Sequence, residues 1–316
     1  MDVIVSVVVP AKNEERFVAR CLESILCCGH ASQLLEVILV DNCSSDRTAE
    51  IARGLLGAHP NLRVITSHAD TIAQVRMDGY RLCRGEVIGF IDSDSLVGPG
   101  WISKGLEILY ESPEVSCVGF ALSAPGADAS WVERTWYPIS SGSKWCNRQE
   151  VSWLSSFNLL IKRSFFDRVG GFDASLVTCE DADLGYRLSA ISKVIFCDEV
   201  TVRHLGNVTT LKDFFFKELW RGKSNFTQFL ASANKREHYR SVLAPLIYVV
   251  NALFLLSVAF TGTAGSLSLL LSIAFAVGLP LALSFRRGCR SFTGVVSTTV
   301  LFSIYLLARG VSIVRR

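Results

Sequence analysis

Two aspartates separated by one serine, Asp92-Ser93-Asp94, follow the apolar run Val87–Ile91. Like charges this close repel, and the cost is tolerated mainly where a cation compensates them. Carboxylate oxygens suit Mg2+ or Mn2+, which bind a diphosphate at the same time. The tripeptide alone carries little weight, because a second, Asp181-Ala182-Asp183, lies farther along, and two solvated loop carboxylates are the plain alternative. Further groups of the right type stand at similar places. Asp41 ends the apolar run from Leu35, and Pro10-Ala11-Lys12-Asn13-Glu14 follows another, Val3–Val9. Glu180 and Asp181 open a helical pattern, where the helix dipole keeps carboxylates ionised and ready to accept a hydroxyl proton. His204, in Val202-Arg203-His204-Leu205-Gly206, offers an imidazole that serves a cation when neutral, or an ordinary core or surface histidine.

The elements that would position these groups alternate. Strands are expected at Val3–Val9, Leu35–Asp41, Leu62–Thr66, Val87–Ile91 and Phe157–Ile161. Helices are expected at Glu14–Cys27, from about Asp46 to Leu56 with Ser44 or Ser45 as N-cap, and at Thr71–Cys83. Strands that are apolar throughout and separated by helices imply an α/β fold, a mostly parallel sheet with helices on both faces. Ligands bind such sheets beyond the carboxyl ends of the strands, which is where Pro10–Glu14, Asp41 and Asp92 fall.

Composition divides the 316 residues in two. Half are hydrophobic, and mean hydropathy is +0.35. From Ser241 onward there are six arginines and no Asp, Glu or Lys, so a mildly acidic first part precedes an apolar, basic one. The arginines are few and border apolar runs, which indicates a membrane partner and no nucleic acid. Val242–Phe260 and Ala264–Phe285 have the length of bilayer spans and read as a helical hairpin; a third segment reaches Val314 only by including Arg309, as a span or as a tilted or re-entrant helix. Basic residues before the first span (Lys235, Arg236, Arg240) and after the second (Arg286, Arg287, Arg290) place both flanks in the cytosol. The N-terminus has no basic region typical of a signal peptide, and ten scattered cysteines without metal spacing read as reduced thiols. Three apolar segments without an acidic group give no transport pathway. The expected division is 1–210, a cytosolic domain; 211–240, a juxtamembrane stretch; and 241–316, a membrane region with two or three helices (about 242–260, 264–285 and 292–314). In the juxtamembrane stretch Phe214, Phe215, Leu219, Trp220, Phe226, Phe229 and Leu230 alternate with Lys212, Lys217, Arg221 and Lys223, the composition of a helix lying among lipid headgroups.

VSVVVPAKNEE, EVILVDNCSSDRT, RGEVIGFIDSDS, GGFD and CEDADLGYRL occur in that order. As an ordered set, over Val5 to Arg221, they resemble the family 2 glycosyltransferases, inverting enzymes with the GT-A (Rossmann-like) fold. The resemblance implies a nucleotide pocket from Pro10, Ala11, Asn13, Glu14 and Asp41, with Arg76 near the diphosphate. Asp92 and Ser93 would approach the ribose, and Asp94, Asp92 and, more weakly, His204 the cation, Mn2+ or Mg2+. Asp181 would be the catalytic base, with Glu180, Asp183 and Arg187 positioning. Processive members of the family carry Gln-x-x-Arg-Trp before a membrane helix; here Glu218-Leu219-Trp220-Arg221-Gly222 keeps only the arginine, leaving Trp220 and Arg221 as acceptor-side candidates and favouring one sugar per encounter.

The expected activity is transfer of a sugar from a UDP- or GDP-linked donor to a polyprenyl-linked saccharide at the cytosolic membrane face, in glycan or envelope polysaccharide synthesis. Transfer directly onto polyprenyl phosphate is an alternative within the enzyme class. A non-catalytic nucleotide-sugar-binding membrane protein is the alternative outside it, against which Asp181 speaks, since a binder needs no base.

Overall fold

Val5, Val7 and Val9 face one side of the first strand and Val8 the other, and the period of two repeats in the next strands of the sheet. The computed structural model describes residues 5–28, 35–140, 146–223 and 235–314, the side chains of 235–240 excepted. Phe226, Phe229 and Leu230 of the expected juxtamembrane stretch lie outside the described residues.

By its contacts the chain separates into two compact units, Met1–Ala124 with Gly142–Gly206, and Pro125–Ser141 with Asn207–Arg316. In the first, nine strands of the described residues form one sheet: β1 (Val5–Ala11), β2 (Leu35–Asp41), β3 (Leu62–Thr66), β4 (Val87–Ile91), β5 (Ser95–Val97), β6 (Val115–Leu122), β7 (Gln149–Glu150), β8 (Asn158–Lys162) and β9 (Lys193–His204). The order is β3-β2-β1-β4-β8-β6-β9-β5, with β7 also on β9. The first four strands are parallel, as is β6 with β9, whereas β8 runs antiparallel to both β4 and β6. The short strands β5 and β7 also pair antiparallel with β9.

Both faces are covered. Helices α1 (Val18–Leu26), α2 (Thr48–Gly54) and α4 (Trp101–Glu111) bury Leu22, Ala52 and Trp101 with Val7, Leu39 and Ile91. Helix α3 (Ile72–Tyr80) covers the opposite face, where Ala73 and Val75 meet Val8, Ile38 and Phe90.

Two helix starts differ from expectation. Residues 14–17 form a turn before α1, with Phe17 and Val18 N–H bonding to the Glu14 carbonyl. Neither Ser44 nor Ser45 caps α2, which begins behind Arg47; the Ser44 hydroxyl instead accepts from the Asn13 N–H at 2.9 Å. The serines are spent on the neighbouring loop.

The second unit contains α5 (Trp131–Ser140), a segment that falls within 1–210 of the sequence but packs with the later helices. Between them in sequence come α6 (Arg163–Arg168) and α7 (Glu180–Ser189) of the first unit. Then follow α8 (Leu211–Arg221), α9 (Lys235–Thr261), α10 (Ser266–Arg286) and α11 (Phe292–Val314). Trp136 of α5 packs its ring 4.7 Å from Phe214 of α8 and 5.8 Å from Phe302 of α11. Helix α8 begins at Thr210, whose hydroxyl accepts from Asp213 N–H. The last three helices are each long and apolar enough to cross a membrane. The Tyr248 hydroxyl donates to the Ala276 carbonyl at 2.9 Å, and Asn251 Nδ2 to that of Ser272 at 3.2 Å, so α9 and α10 form the expected antiparallel hairpin. Arg309 does not interrupt α11; its Nε and Nη2 each lie 2.9 Å from Oε2 of Glu218, a carboxylate only 1% exposed.

Candidate functional site

Three strand ends on one edge of the first unit's sheet carry the polar groups. At the end of β2, Asp41 is 4% exposed. Its Oδ2 accepts from Ser44 N–H at 3.3 Å, while its Oδ1 is buried with no hydrogen-bond partner among the described residues. A buried acceptor left unsatisfied costs about 1–3 kcal/mol, so a donor group on a ligand there would be favoured. The adjoining loops are laced together. Asn13 adopts a left-handed backbone (φ 59°), which turns its Oδ1 to accept from Ser45 N–H at 2.8 Å. Glu14 N–H donates to the Thr48 hydroxyl at 2.7 Å, and Glu15 N–H to Asp46 at 3.0 Å. Pro10 and Ala11, buried in β1, form the floor from which this loop rises.

At the end of β4, Asp92 is held by an arginine. Arg76 of α3 is 3% exposed, and its Nη2 lies 2.9 Å from Asp92 Oδ1 while its Nη1 lies 2.7 Å from Glu180 Oε1. Burial works against the guanidinium charge, but Asp92 and then Glu180 outweigh it and hold its pKa above the ordinary value. Arg76 also stands 5.6 Å over the ring of Phe172. That ring is presented by the Gly170-Gly171 turn, where both residues are left-handed and a Cβ on Gly171 would come within 2.9 Å of Met77. One buried cation thus ties together the Asp-x-Asp strand end, the start of α7 and the glycine turn. Below them the Cys21 thiol donates to the Asp92 carbonyl at 3.5 Å; burial, and next the Asp94 carboxylate, push its pKa up and keep it a neutral donor. Ser93 is buried between the two aspartates.

Asp94 faces a different partner. β5 pairs antiparallel with β9, bringing Ser95 opposite His204. The His204 Nε2 lies 3.4 Å from Asp94 Oδ2, and the Leu205 N–H donates to the Asp94 carbonyl at 2.7 Å. A Cβ on Gly206 would come within 2.0 Å of Asp94 Oδ2, so only glycine leaves that carboxylate its place. Among the described residues no group of three or more His, Cys, Asp or Glu is set to hold a metal; carboxylate and imidazole here form a pair.

Asp181, at the second position of α7, is partly exposed, and its Oδ1 accepts from Ala182 N–H at 2.8 Å. Asp183 and Arg187 pair with each other along the helix, and Arg187 Nη1 also donates to the Val169 carbonyl at 2.6 Å, bracing α7 on the segment after α6. Trp220 and Arg221 lie in the second unit, Trp220 exposed and Arg221 Nη1 at 2.9 Å from Glu218. The sequence reading gave no role to Phe172, Gly206, Asp46 or Thr48. Phe172 stands in GGFD, Asp46 and Thr48 in EVILVDNCSSDRT, and Gly206 two residues after a candidate ligand, but none of these signals specifies the contact made.

The sequence pattern of Glycosyl transferase family 2 matches residues 6–172, more than half of the chain. Chondroitin synthase of Escherichia coli is 27% identical over 193 residues, 60% of this chain and 27% of that protein. Glycosyltransferase AglE of Haloferax volcanii is 25% identical over 203 residues, 61% of this chain and 66% of its own length. The chain therefore spans about a quarter of one of these relatives and just under two thirds of the other. Among solved structures, the mannosyltransferase PcManGT from Pyrobaculum calidifontis, in complex with GDP-Man and Mn2+, superposes with a TM-score of 0.66 at 18% identity, over 96% of this chain and 86% of that one. The sheet described above, mixed and mostly parallel with helices on both faces, is thus of the GT-A type. This chain belongs to the family 2 glycosyltransferases.

Proposed function

We propose that the protein is an inverting transferase acting at the cytosolic face of a membrane, moving one sugar from a UDP- or GDP-linked donor to a polyprenyl-linked saccharide. The observation that carries the donor half is the buried, unpartnered Oδ1 of Asp41 beside the laced loops of Asn13 and Glu14, an acceptor aimed where a nucleotide base would offer an N–H. Asp92 and Ser93 take the ribose side. Arg76 lends positive charge near the diphosphate while holding Asp92 and Glu180.

Asp94 and His204 fit a divalent cation, Mn2+ or Mg2+: an anionic oxygen and an imidazole face one another, and Gly206 keeps the space beside them clear. When bound, such an ion offsets the charge gathering on the departing diphosphate. Asp181, partly exposed at a helix start, takes the proton from the acceptor hydroxyl as that oxygen bonds to the anomeric carbon and the sugar–phosphate bond breaks. Glu180, Asp183 and Arg187 hold the start of α7 in register, and Trp220 and Arg221 serve the acceptor side. The membrane half rests on the three long apolar helices and on the aromatic, basic α8 before them.

The test is nucleoside diphosphate release from a panel of nucleotide sugars by the detergent-purified protein, with and without Mn2+ or Mg2+ and with polyprenyl-linked acceptors added. Cation-dependent release by the wild type, falling at least 100-fold in both Asp94→Asn and Asp181→Asn, is expected. Donor binding without turnover under every acceptor condition would favour a binding protein, and a sugar bonded to a lipid monophosphate would move the acceptor to polyprenyl phosphate.

A further inference from the structure

Five of the cysteines are buried, and burial pushes the thiols of Cys21, Cys83 and Cys117 up, which keeps them protonated and inert. Cys27, Cys43 and Cys146 are exposed. Among the described residues, Cys43 is the one of these three with an imidazole beside its sulfur. Its Sγ lies 3.1 Å from Nδ1 of His68 and 3.2 Å from the Ser67 carbonyl oxygen. A thiol within hydrogen-bond reach of a base has the arrangement of an activated nucleophile, because the imidazole can take the proton as the sulfur attacks.

The sheet brings the pair together. β2 and β3 run parallel with Asp41 opposite Thr66, and the Ser67 N–H donates to the Asp41 carbonyl at 2.8 Å. The residues that follow the two strands therefore emerge side by side. Cys43 then takes a left-handed backbone (φ 50°), uncommon for a residue other than glycine. Ser67 is pinned, its hydroxyl donating to Asp78 Oδ2 at 2.7 Å and accepting from Ala69 N–H at 3.2 Å, so His68 stands between anchored neighbours. His68 also borders a cavity of about 580 Å3 with Gln74, Met77, Arg81 and Phe172, which gives an anionic reagent room and a guanidinium beside the pair.

Neither Cys43 nor His68 takes part in the transfer proposed above, yet both adjoin its donor pocket. Asp41, 4% exposed and with its Oδ1 unpartnered among the described residues, comes two residues before Cys43. Ser44, the next residue, holds the Asn13 N–H at 2.9 Å.

We propose that Cys43 is a modification site that closes the donor pocket: with His68 as base, it forms a mixed disulfide with a low-molecular-weight disulfide of the glutathione type. The Cys43 thiol gives its proton to His68 as its sulfur bonds to one sulfur of the incoming disulfide. The bond between that reagent's two sulfurs breaks, and the departing thiolate leaves with the electron pair and takes the proton from His68. A further thiol reverses the exchange. The substituent stands beside the loop where the donor's base would enter. The inference rests on the reading of Asp41 as the place of that base, and the test separates the two.

The full chain, purified in detergent as wild type, Cys43→Ser and His68→Gln, is incubated with oxidised glutathione. Adducts are located and timed by peptide mass spectrometry, and nucleoside diphosphate release is measured before treatment, after it, and after dithiothreitol. All three forms are expected to release at the wild-type rate before treatment. The adduct should form at Cys43 about tenfold or more faster than at Cys27 or Cys146, and about tenfold more slowly in His68→Gln. UDP or GDP should slow it, and release should fall with it in the wild type, return with dithiothreitol, and persist in Cys43→Ser. Equal rates at the three cysteines, or an unchanged rate in His68→Gln, overturn the inference. A fast adduct at Cys43 that leaves release intact overturns it alone, and the donor reading stands. No release by the untreated wild type from any nucleotide sugar overturns the donor reading and the inference with it.

Discussion

Arg76 is the residue on which the end of β4 and the start of α7 both depend. Its side chain is 4% exposed, and Glu180 beside it 10%. Removing one member of a buried pair strands the other charge, at a cost of about 3 kcal/mol or more. Arg76→Met should therefore unfold at markedly lower denaturant and lower kcat at least 100-fold. Arg76→Lys, which keeps the charge but cannot fork to two carboxylates, should fall between the variant and wild type. Denaturant titration and initial rates check both. Gly206→Ala poses a narrower question, since its methyl group would press on Asp94 Oδ2. The fold should persist while the Mn2+ concentration for half-maximal activity rises about tenfold or more, read from a metal titration beside a circular dichroism spectrum. A third residue-scale effect is electrostatic. Glu36 is buried in β2; burial raises its pKa, but the Ser6 hydroxyl and the Arg84 N–H and guanidinium outweigh that and hold it below the ordinary value. A carboxylate depressed in the folded state contributes stability above its unfolded pKa and loses it as pH falls through the folded value. Glu36→Gln should thus be less stable than wild type at pH 7, with the gap closing below about pH 4.5 in acid-unfolding curves.

At the scale of elements, the strands were the most legible part of the sequence. β2, β3 and β4 begin and end where the apolar-rich runs do; β2 and β4 are buried along their whole length, whereas β3, at the end of the strand order, is mostly half-buried. The strand β8 gives the same signature, but its direction does not show in composition; reversal is settled by which neighbours it finds. Helix starts were less legible, since Ser44, Asp46 and Thr48 look like caps yet bond to the β1–α1 loop, a partner about thirty residues away. The candidate aspartates could be read from strand ends, whereas the Arg76 bridge could not, being a contact between segments far apart in sequence. Arg309 is the same lesson in the second unit: an arginine that seemed to spoil an apolar helix pairs with Glu218 of α8. Glu218→Leu or Arg309→Leu alone should lower the thermal midpoint in detergent by several degrees, while the double variant recovers much of the loss.

At the scale of the molecule, each unit has its own core, and the candidate donor residues all belong to the first. Unfolding should show two transitions, of which only the one assigned to the first unit moves when nucleotide sugar and Mn2+ are added. At ligand 100-fold above Kd the shift corresponds to about 2.7 kcal/mol, measurable by calorimetry. The placement of α5 has a consequence in time. Its Trp136 packs against Phe214, Phe302 and Tyr305, all of which leave the ribosome later. At about 5–20 residues per second the last of these partners is made on the order of ten seconds after α5 itself. Through that interval the tryptophan helix lacks its packing partners, and its apolar face stays uncovered until α11 arrives.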